Sequence, residues 1–192
     1  MADTKLVLET LHRVGKDAQF TKVDWASAYK HLGVRVEDWP LQCVEWGGKI
    51  FVELRMTFGC TSSPTRFHVL SDVVKEISAK NVGMDKDDIP KCLDDAIPIQ
   101  TRESGLVRRF EIEYRRLCRV IGVRLAGNDY VGKTFSVSRA GEVLGIVYEL
   151  SHWLWWIPEA KALRLIAELK MIVESDMVEG PLMEKIMGKL SR

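Results

Sequence analysis

Several features that mark particular protein classes are scarce in this sequence. Only four of its 192 residues are cysteines, and none has the C-x-x-C spacing of a zinc site. Neither a disulfide framework nor a cysteine-bound metal is therefore predicted, and we expect reduced thiols. The sequence also lacks an apolar run long enough to span a membrane, and residues 1–16 are charged rather than signal-like. We expect an intracellular protein with no membrane partner.

The net charge of the sequence is also low. The formal charge is only +1, whereas nucleic-acid-binding surfaces are normally basic. The charge is unevenly distributed, because residues 102–139 hold nine basic and four acidic side chains. Two interpretations of this basic stretch stay open: a solvated helix face and a phosphate-contacting surface.

Length and composition indicate one compact domain. A chain of 192 residues with 46% hydrophobic side chains can build a substantial core. Helical spacing of apolar residues predicts a helix over Leu6–Val14, and three more helices elsewhere. The first of these three follows Pro64 and has apolar residues at Phe67, Leu70, Val73, Val74 and Ile77. The next has them at Leu106, Phe110, Tyr114, Leu117 and Ile121. The last follows Pro158 and has them at Leu163, Ile166, Leu169 and Val173.

Strand patterns alternate with these helices. The alternation of apolar and polar residues on both sides of Gly47 and Gly48 predicts a hairpin. We further predict strands over Phe20–Asp24 and Glu142–Leu150, and a tight hairpin over Lys91–Ile99 with Asp94 and Asp95 at its turn. The predicted class is α+β, with helices packed on one face of an antiparallel sheet.

The chemistry is carried by two short acidic segments seventy positions apart. Asp24 ends an apolar strand, and Asp94 and Asp95 lie between short hydrophobic runs. Mg²⁺ prefers such hard oxygen ligands and is usually held by one or two carboxylates together with substrate phosphates. Two Mg²⁺ ions roughly 3.5–4 Å apart are the catalytic arrangement of nucleotidyl transfer. A lone Asp-Asp pair is also common on solvated turns, so the neighbouring residues decide.

Those neighbours resemble the motifs of reverse transcriptases, in the same order. The matching segments are Lys22–His31 for the first catalytic motif, Phe58–Phe67 for the second, Leu93–Asp95 for the third, Gly122–Ala126 followed by Lys133 for the fourth, and Val143–Ile146 for the primer grip. The run Lys22–Ser63, which includes Trp46–Lys49 and Phe51–Leu54, is most similar to the tyrosine-recombinase (DIRS-type) retrotransposon branch. A nuclease would use similar acids, but it does not account for the Phe-Gly and Leu-Gly-Ile segments.

The resemblance implies a polymerase palm with defined site residues. Asp24, Asp94 and Asp95 would be the catalytic residues and the ligands of two Mg²⁺ ions, for which Mn²⁺ can substitute. The nucleotide-binding residues would be Trp25, Ala26, Tyr29, Phe58, Gly59 and Lys133, and the primer grip would be Leu144, Gly145 and Ile146. Tyr29 would be the ring that excludes a 2′-hydroxyl. The implied partners are an RNA or DNA template with its primer, and dNTPs.

Some of these positions have an alternative interpretation. Tyr29 also fits an ordinary core tyrosine, Lys133 a surface lysine, and Gly145 a glycine in a β-turn. The aromatic group Trp153, Trp155 and Trp156 suits either base stacking or burial against the helix that follows Pro158, and burial is the favoured interpretation.

The resemblance also divides the chain and indicates what is missing. Residues 1–150 would form the palm with a remnant of a fingers helix, and 151–192 a primer-grip-proximal hairpin and helices leading toward a thumb or connection. Only residues 1–21 precede the first motif, so most of the fingers is expected to be missing, as is the RNase H region; both would act in cis or in trans. Because phosphate neutralisation supplies much of nucleic-acid affinity, we expect weak binding by the chain alone.

Two functions follow from these observations. The first is an RNA-directed DNA polymerase domain of a retrotransposon, favoured by the retained aspartates. The second is a catalytically inactive, domesticated palm that acts as a protein or RNA interaction scaffold in a larger assembly. The missing fingers and the low net charge favour the scaffold.

Overall fold

A computed structural model describes residues 4–127, 134–174, 180, 183 and 184. The helices are α1 (Thr4–Val14), α2 (Ser62–Val82), α3 (Leu106–Val120) and α4 (Glu159–Val173). The strands are β1 (Ala18–Lys22), β2 (Cys43–Trp46), β3 (Lys49–Val52), β4 (Lys91–Cys92), β5 (Asp95–Ala96), β6 (Ile99–Thr101), β7 (Phe135–Ser138), β8 (Ala140–Val143), β9 (Ile146–Glu149) and β10 (Leu154–Trp156). Short 3₁₀ helices cover Ala28–His31, Val36–Gln42 and Lys86–Asp88.

All strand pairs are antiparallel, which confirms the predicted α+β class. β1 lies between β6 and β7 in one sheet, and β9 lies between β8 and β10 in another. β2 pairs with β3, and β4 with β5, as two-residue-turn hairpins. Helix α1 packs on β6, whereas α3 packs on both β1 and β6 and also against α2.

One core lies beneath the end of β1 and is built around aromatic rings. Trp25 and Phe67 meet edge to face with ring centroids 5.1 Å apart. The indole Nε1 of Trp25 donates a hydrogen bond of 2.7 Å to the hydroxyl of Tyr114, so the polar atom of each ring is satisfied inside the core. Burial is the largest cause that raises the pKa of Tyr114. This first core joins α2 and α3 to the strand that carries Asp24.

The packing face of α2 differs in part from the predicted one. Phe67 and Val74 are buried as predicted, whereas Val73 and Ile77 are exposed. Ser71 and Ser78 are buried in addition. The small serines allow close approach of neighbouring elements, and the Ser78 hydroxyl donates to the Val74 carbonyl at 2.8 Å. A hydrophobicity pattern assigns serine to the solvent side, so it missed Ser71 and Ser78.

A second core joins α1 to β1 and β9. It contains Val7 and Leu11 of α1, Phe20 of β1 and Tyr148 of β9. Phe20 meets the ring of Phe135 edge to face at 5.2 Å and the ring of Tyr148 edge to face at 6.3 Å. The second of these contacts joins β1 of the first sheet to β9 of the second.

Two regions contribute no buried residue. All eight residues of β2 and β3 are exposed, as are those of β10, and α4 has no buried residue. The expected burial of the tryptophans is wrong for Trp155 and Trp156, which are 56% and 47% exposed, while Trp153 packs partly against the second core. None of the described helices is long and apolar enough to cross a membrane.

Candidate active site

The end of β1 brings Asp24 beside the second acidic segment. Val23 and Ala96 exchange two backbone hydrogen bonds of 3.0 Å, as an antiparallel pair does. Continuing this register by one residue places Asp24 across from Asp95, on the face opposite to the buried side chains of Val23 and Ala96. Two carboxylates from separate parts of the sequence therefore lie on one face.

Asp94 enters the site from the turn of the β4–β5 hairpin. Cys92 pairs with Asp95, so the turn consists of Leu93 and Asp94. The predicted turn of Asp94 and Asp95 is thus shifted by one residue, because Asp95 already belongs to β5. Leu93 has φ +49°, a backbone conformation that a side chain with a Cβ disfavours by about 1–2 kcal/mol. Such conformations persist only where the surrounding structure holds them, and they concentrate at functional sites.

The electrostatics of this region suit a divalent cation. Asp24 is only 5% exposed, and like charges directly opposite each other on paired strands are destabilising. Burial raises the pKa of Tyr29, and the negative charge of Asp94 raises it further, so this ring lies within the field of the acids. A hard cation would relieve the repulsion and would find the oxygen ligands it prefers.

The carboxylates do not form a complete cage by themselves. In the described ranges, no group of three or more His, Cys, Asp or Glu side chains is gathered closely enough to hold a metal ion. Mg²⁺ can also be held by one or two carboxylates that share the ion with substrate phosphates and water. Asp24 and Asp95 offer such a pair of carboxylates.

The fourth motif lies along the other side of Asp24. Trp25 pairs with Leu125, the Ala26 amide donates to the Arg124 carbonyl at 2.9 Å, and the Ala126 amide donates to the Asp24 carbonyl at 2.8 Å. Asp24 is therefore flanked on one side by β5 and on the other by the Arg124–Ala126 segment. Lys133, predicted to bind nucleotide, lies outside the described residues.

Tyr29 and Phe58 form an aromatic wall next to the acids. Their ring centroids are 4.8 Å apart, and Tyr29 also meets Phe67 edge to face at 5.7 Å. Tyr29 is 7% exposed, whereas Phe58 is 75% exposed. Phe58 and Gly59 line an open groove of about 980 Å³ whose other lining residues include Arg35 and Arg66. The groove is large enough to admit a nucleotide-sized molecule.

The side chains of the remaining predicted nucleotide-binding residues have different surroundings. Trp25 is 1% exposed and its ring is enclosed in the first core, so its side chain is not accessible to a ligand. Ala26 is half-buried, and its carbonyl lies 2.9 Å from Nε2 of His31. These two positions shape the strand that carries Asp24.

The predicted primer-grip residues occupy a hairpin turn. Leu144 and Gly145 connect β8 to β9, and both have positive φ, +50° and +86°. The single strand predicted over Glu142–Leu150 is therefore wrong, because two strands meet at this turn and Ile146 begins the second. A Cβ on Gly145 would lie 3.4 Å from Nζ of Lys161, so the turn packs close to α4.

A buried lysine near the acids was not predicted as a site residue. The Nζ of Lys91 lies 2.7 Å from the Ser71 hydroxyl and 3.2 Å from Asp72 Oδ1, both on α2. Burial is the largest effect on the pKa of Lys91 and lowers it, while the charge of Asp72 opposes that change. Lys91 lies two residues before the third motif, but no local pattern indicates that α2 would supply its partners.

Sequence comparisons find no relative of this chain. No protein-family model matches it, and no curated protein sequence matches it. Comparison of structures does find similar proteins, among them foamy viral protease–reverse transcriptases. The complex with an RNA/DNA hybrid superposes with a TM-score of 0.62 over 98% of this chain, at 14% sequence identity. A complex with double-stranded DNA has a TM-score of 0.60 over 90% of the chain, at 15% identity.

The chain has a reverse transcriptase-like fold. At 14–15% identity, this similarity describes the fold alone. The chain spans between 22% and 32% of the length of these two matched proteins.

Proposed function

We propose that this chain is the palm of an RNA-directed DNA polymerase that performs nucleotidyl transfer with two Mg²⁺ ions, from the DIRS-type branch of retrotransposons. The observation that carries the proposal is the placement of Asp24 across from Asp95, with Asp94 in the adjoining turn, within a reverse transcriptase-like fold. The branch assignment rests on the sequence resemblance over Lys22–Ser63.

The residues of the chain would divide the work as follows. Asp24 and Asp94 would hold the metal ions, and Asp95 would add negative charge beside them; Mn²⁺ can replace Mg²⁺. When bound, the ions stabilise the charge that develops on the attacking 3′-oxygen and on the departing pyrophosphate. The strand ladder fixes the spacing of the carboxylates before substrate arrives, which reduces reorganisation during the reaction.

Tyr29 would select the sugar of the incoming nucleotide. Its ring is held between Phe58 and Phe67 and lies within the field of Asp94. A rigid ring at this place would exclude a 2′-hydroxyl. Tyr29→Ala should therefore raise ribonucleotide incorporation, whereas Tyr29→Phe retains the ring and should discriminate like wild type. Equal sugar discrimination by all three proteins in steady-state extension assays would remove Tyr29 from this role.

The remaining contacts would come from other parts of the chain and from outside it. Phe58 and Gly59 would pack near the nucleotide, Lys133 would approach the pyrophosphate, and Leu144–Ile146 would contact the primer backbone. We assign residues 1–150 to the palm and 151–192 to the approach toward a thumb or connection. The fingers and RNase H regions would act in cis or in trans, and the assembly would work inside the cell on a template and primer with dNTPs.

The test is Mg²⁺-dependent extension of a DNA primer on an RNA template. The chain is assayed with and without supplied fingers sequence, beside Asp24→Asn and Asp94→Asn variants. We expect each variant to fall to about one per cent of the wild-type rate or less, the scale for losing a group that stabilises transition-state charge. Circular dichroism would establish that each variant is folded. A variant that extends the primer at the wild-type rate would contradict the assignment of that aspartate as a metal ligand.

A scaffold without catalysis is the second candidate function. It is favoured by the exposed residues of β2, β3, β10 and α4, and by the net charge of +1. Such surfaces suit the interior of a larger assembly. A folded wild-type chain that extends no primer even with the fingers supplied would favour the scaffold over the polymerase.

A further inference from the structure

Behind the β4–β5 hairpin, a cluster of polar side chains joins α2 to the turn that carries Asp94. The Lys91 side chain is only 3% exposed. Its Nζ lies 2.7 Å from the hydroxyl of Ser71, 3.2 Å from Asp72 Oδ1 and 3.1 Å from Nδ1 of His68. Nζ also approaches the carbonyl oxygens of His68 at 3.3 Å and of Leu93 at 3.5 Å. A buried ammonium is costly unless it is paired and hydrogen-bonded, and this cluster meets both conditions.

The cluster has a defined direction of hydrogen bonding. Lys91 can only donate, so Nδ1 of His68 accepts, and the proton of the neutral ring lies on Nε2. That Nε2 is 3.0 Å from Asp72 Oδ2, which accepts it. Lys91, His68 and Asp72 therefore form a closed set of contacts on one face of α2. The set keeps the ammonium in place beneath the hairpin.

Ser71 carries the contact from α2 to the turn itself. Its hydroxyl accepts from Lys91 and donates to the Leu93 carbonyl at 3.2 Å, sharing its proton with the His68 carbonyl at 3.1 Å. The Leu93 carbonyl belongs to the peptide unit that continues into Asp94. Leu93 is also the residue with φ +49°. The atom that α2 holds is thus part of the strained turn.

We propose that Lys91 and Ser71 are positioning residues that fix the Leu93–Asp94 turn from the α2 side and so orient the carboxylates of Asp94 and Asp95. They do not touch the reacting atoms. The effect on metal binding rests on the proposed function, whereas the effect on the turn stands on the contacts alone. The two effects can therefore be measured separately.

The first measurement is hydrogen exchange of the Leu93–Ala96 amides, followed by ¹⁵N NMR. Lys91→Met and Ser71→Ala are compared with Lys75→Met and Ser78→Ala. Lys75 lies 3.7 Å from Asp72, and Ser78 is a buried serine on the same helix bonded to Val74, so these controls perturb α2 without a contact to the turn that the structure shows. We expect exchange of the turn amides to accelerate about tenfold in the first pair, the scale of one charge-assisted hydrogen bond, and to stay at the wild-type rate in the controls.

The second measurement is Mn²⁺ affinity by electron paramagnetic resonance, with Asp94→Asn to identify the site. Residues that orient metal ligands typically change affinity about 10–100-fold, so Lys91→Met should weaken binding about tenfold and the control variants should not. The Lys91→Met, Ser71→Ala double variant should bind Mn²⁺ like Lys91→Met alone, because both side chains act through the same carbonyl.

The outcomes separate this inference from the proposed function. Unchanged exchange of the turn amides in folded Lys91→Met and Ser71→Ala would overturn the positioning role. If Lys91→Met fails to fold, Ser71→Ala decides the matter alone. Faster exchange in a protein whose wild type has no Mn²⁺ site sensitive to Asp94→Asn would support the positioning of the turn and would count against the metal chemistry.

Discussion

The hairpins β2–β3 and β4–β5 have turns of the same length but differ in the contacts that hold them. Each reverses the chain with two turn residues. In β2–β3 the turn is Gly47–Gly48, with φ +58° and +70°, and all its strand residues are exposed. In β4–β5 the turn is Leu93–Asp94, the strands have two residues each, and α2 holds the turn through Lys91 and Ser71.

This difference shows two origins of the same local shape. Glycine adopts positive φ at no steric cost, so Gly47–Gly48 specifies its turn locally. Leu93 does not, so we expect its conformation to depend on the contact between its carbonyl and Ser71 of α2. A two-stranded hairpin is marginal by itself. The β2–β3 hairpin has a locally specified turn but no buried strand residue, whereas the turn of β4–β5 lacks glycine and is contacted by α2.

Thiol labelling should separate the supported and unsupported regions most strongly. Cys43 begins the exposed strand β2, whereas Cys118 is buried in the first core, where burial raises its pKa to about 12. We expect iodoacetamide at pH 8 to modify Cys118 at least about a thousandfold more slowly than Cys43, because core exposure requires global unfolding at about 5 kcal/mol or more. Peptide mass spectrometry of a time course measures both rates.

The exposed cysteines should also differ from each other in their labelling rates. The hydrogen bond with Ser62 is the largest of the effects that lower the pKa of Cys60, so Cys60 should be the fastest of the exposed thiols at neutral pH. In urea, Cys43, Cys60 and Cys118 should react alike. Labelling of Cys118 at the rate of Cys43 in buffer would contradict the description of a closed core.

Truncating one aromatic side chain in each region should give the next largest contrast. Phe67 is fully buried against Trp25 and Tyr29, so Phe67→Ala should lower the free energy of unfolding by about 3–5 kcal/mol. Trp46 on β2 is 78% exposed, so Trp46→Ala should change it by less than about 0.5 kcal/mol. Urea unfolding followed by far-ultraviolet circular dichroism measures both, and similar losses in the two variants would remove the contrast.

Changing the turn residues tests local specification directly. Gly47→Ala should weaken the β2–β3 hairpin by about 1–2 kcal/mol, because the new Cβ disfavours φ +58°. It should be seen as faster amide exchange over Cys43–Val52. Leu93→Gly relieves the strain at φ +49° but adds backbone freedom, so the free energy of unfolding should change by less than about 1 kcal/mol. A large loss in Leu93→Gly would mean that its side chain, not its backbone, holds the turn.

The smallest effect concerns the contact between α2 and α3. The Arg116 guanidinium and then the Asn81 amide lower the pKa of Glu113 from 4.5 to about 2. A lowered pKa adds stability above the unfolded-state value of 4.5, and that stability is lost as the pH falls toward 2. Glu113→Gln should cost less than about 1 kcal/mol at pH 7 and nothing near pH 2. Urea midpoints of both proteins at pH 7 and near pH 2 provide the check, and an equal cost at the two values would contradict it.

The parts of this fold that the sequence predicts depend on residues close together along the chain. The parts that it does not predict depend on contacts between residues that are distant in sequence. Helical spacing in α1, α3 and α4 and the Gly47–Gly48 turn are local, and the structure agrees with each. The buried side of α2 was predicted only in part, because Ser71 and Ser78 are buried by contacts that a hydrophobicity pattern cannot contain. Trp155 and Trp156 were expected to be buried against the helix that follows Pro158, yet they are 56% and 47% exposed.

The sequence by itself determined which acids are available, where most helices and turns begin, and the order of the motifs, because these depend on side-chain type and on neighbours along the chain. Only the tertiary structure decided that Asp24 lies across from Asp95. It also decided that Leu93, which is not a glycine, takes a positive φ in the β4–β5 turn, and that Lys91 lies beneath this turn. Those features join residues about seventy positions or twenty positions apart. Backbone pairing and burial bring such residues together, and neither acts until the chain has folded.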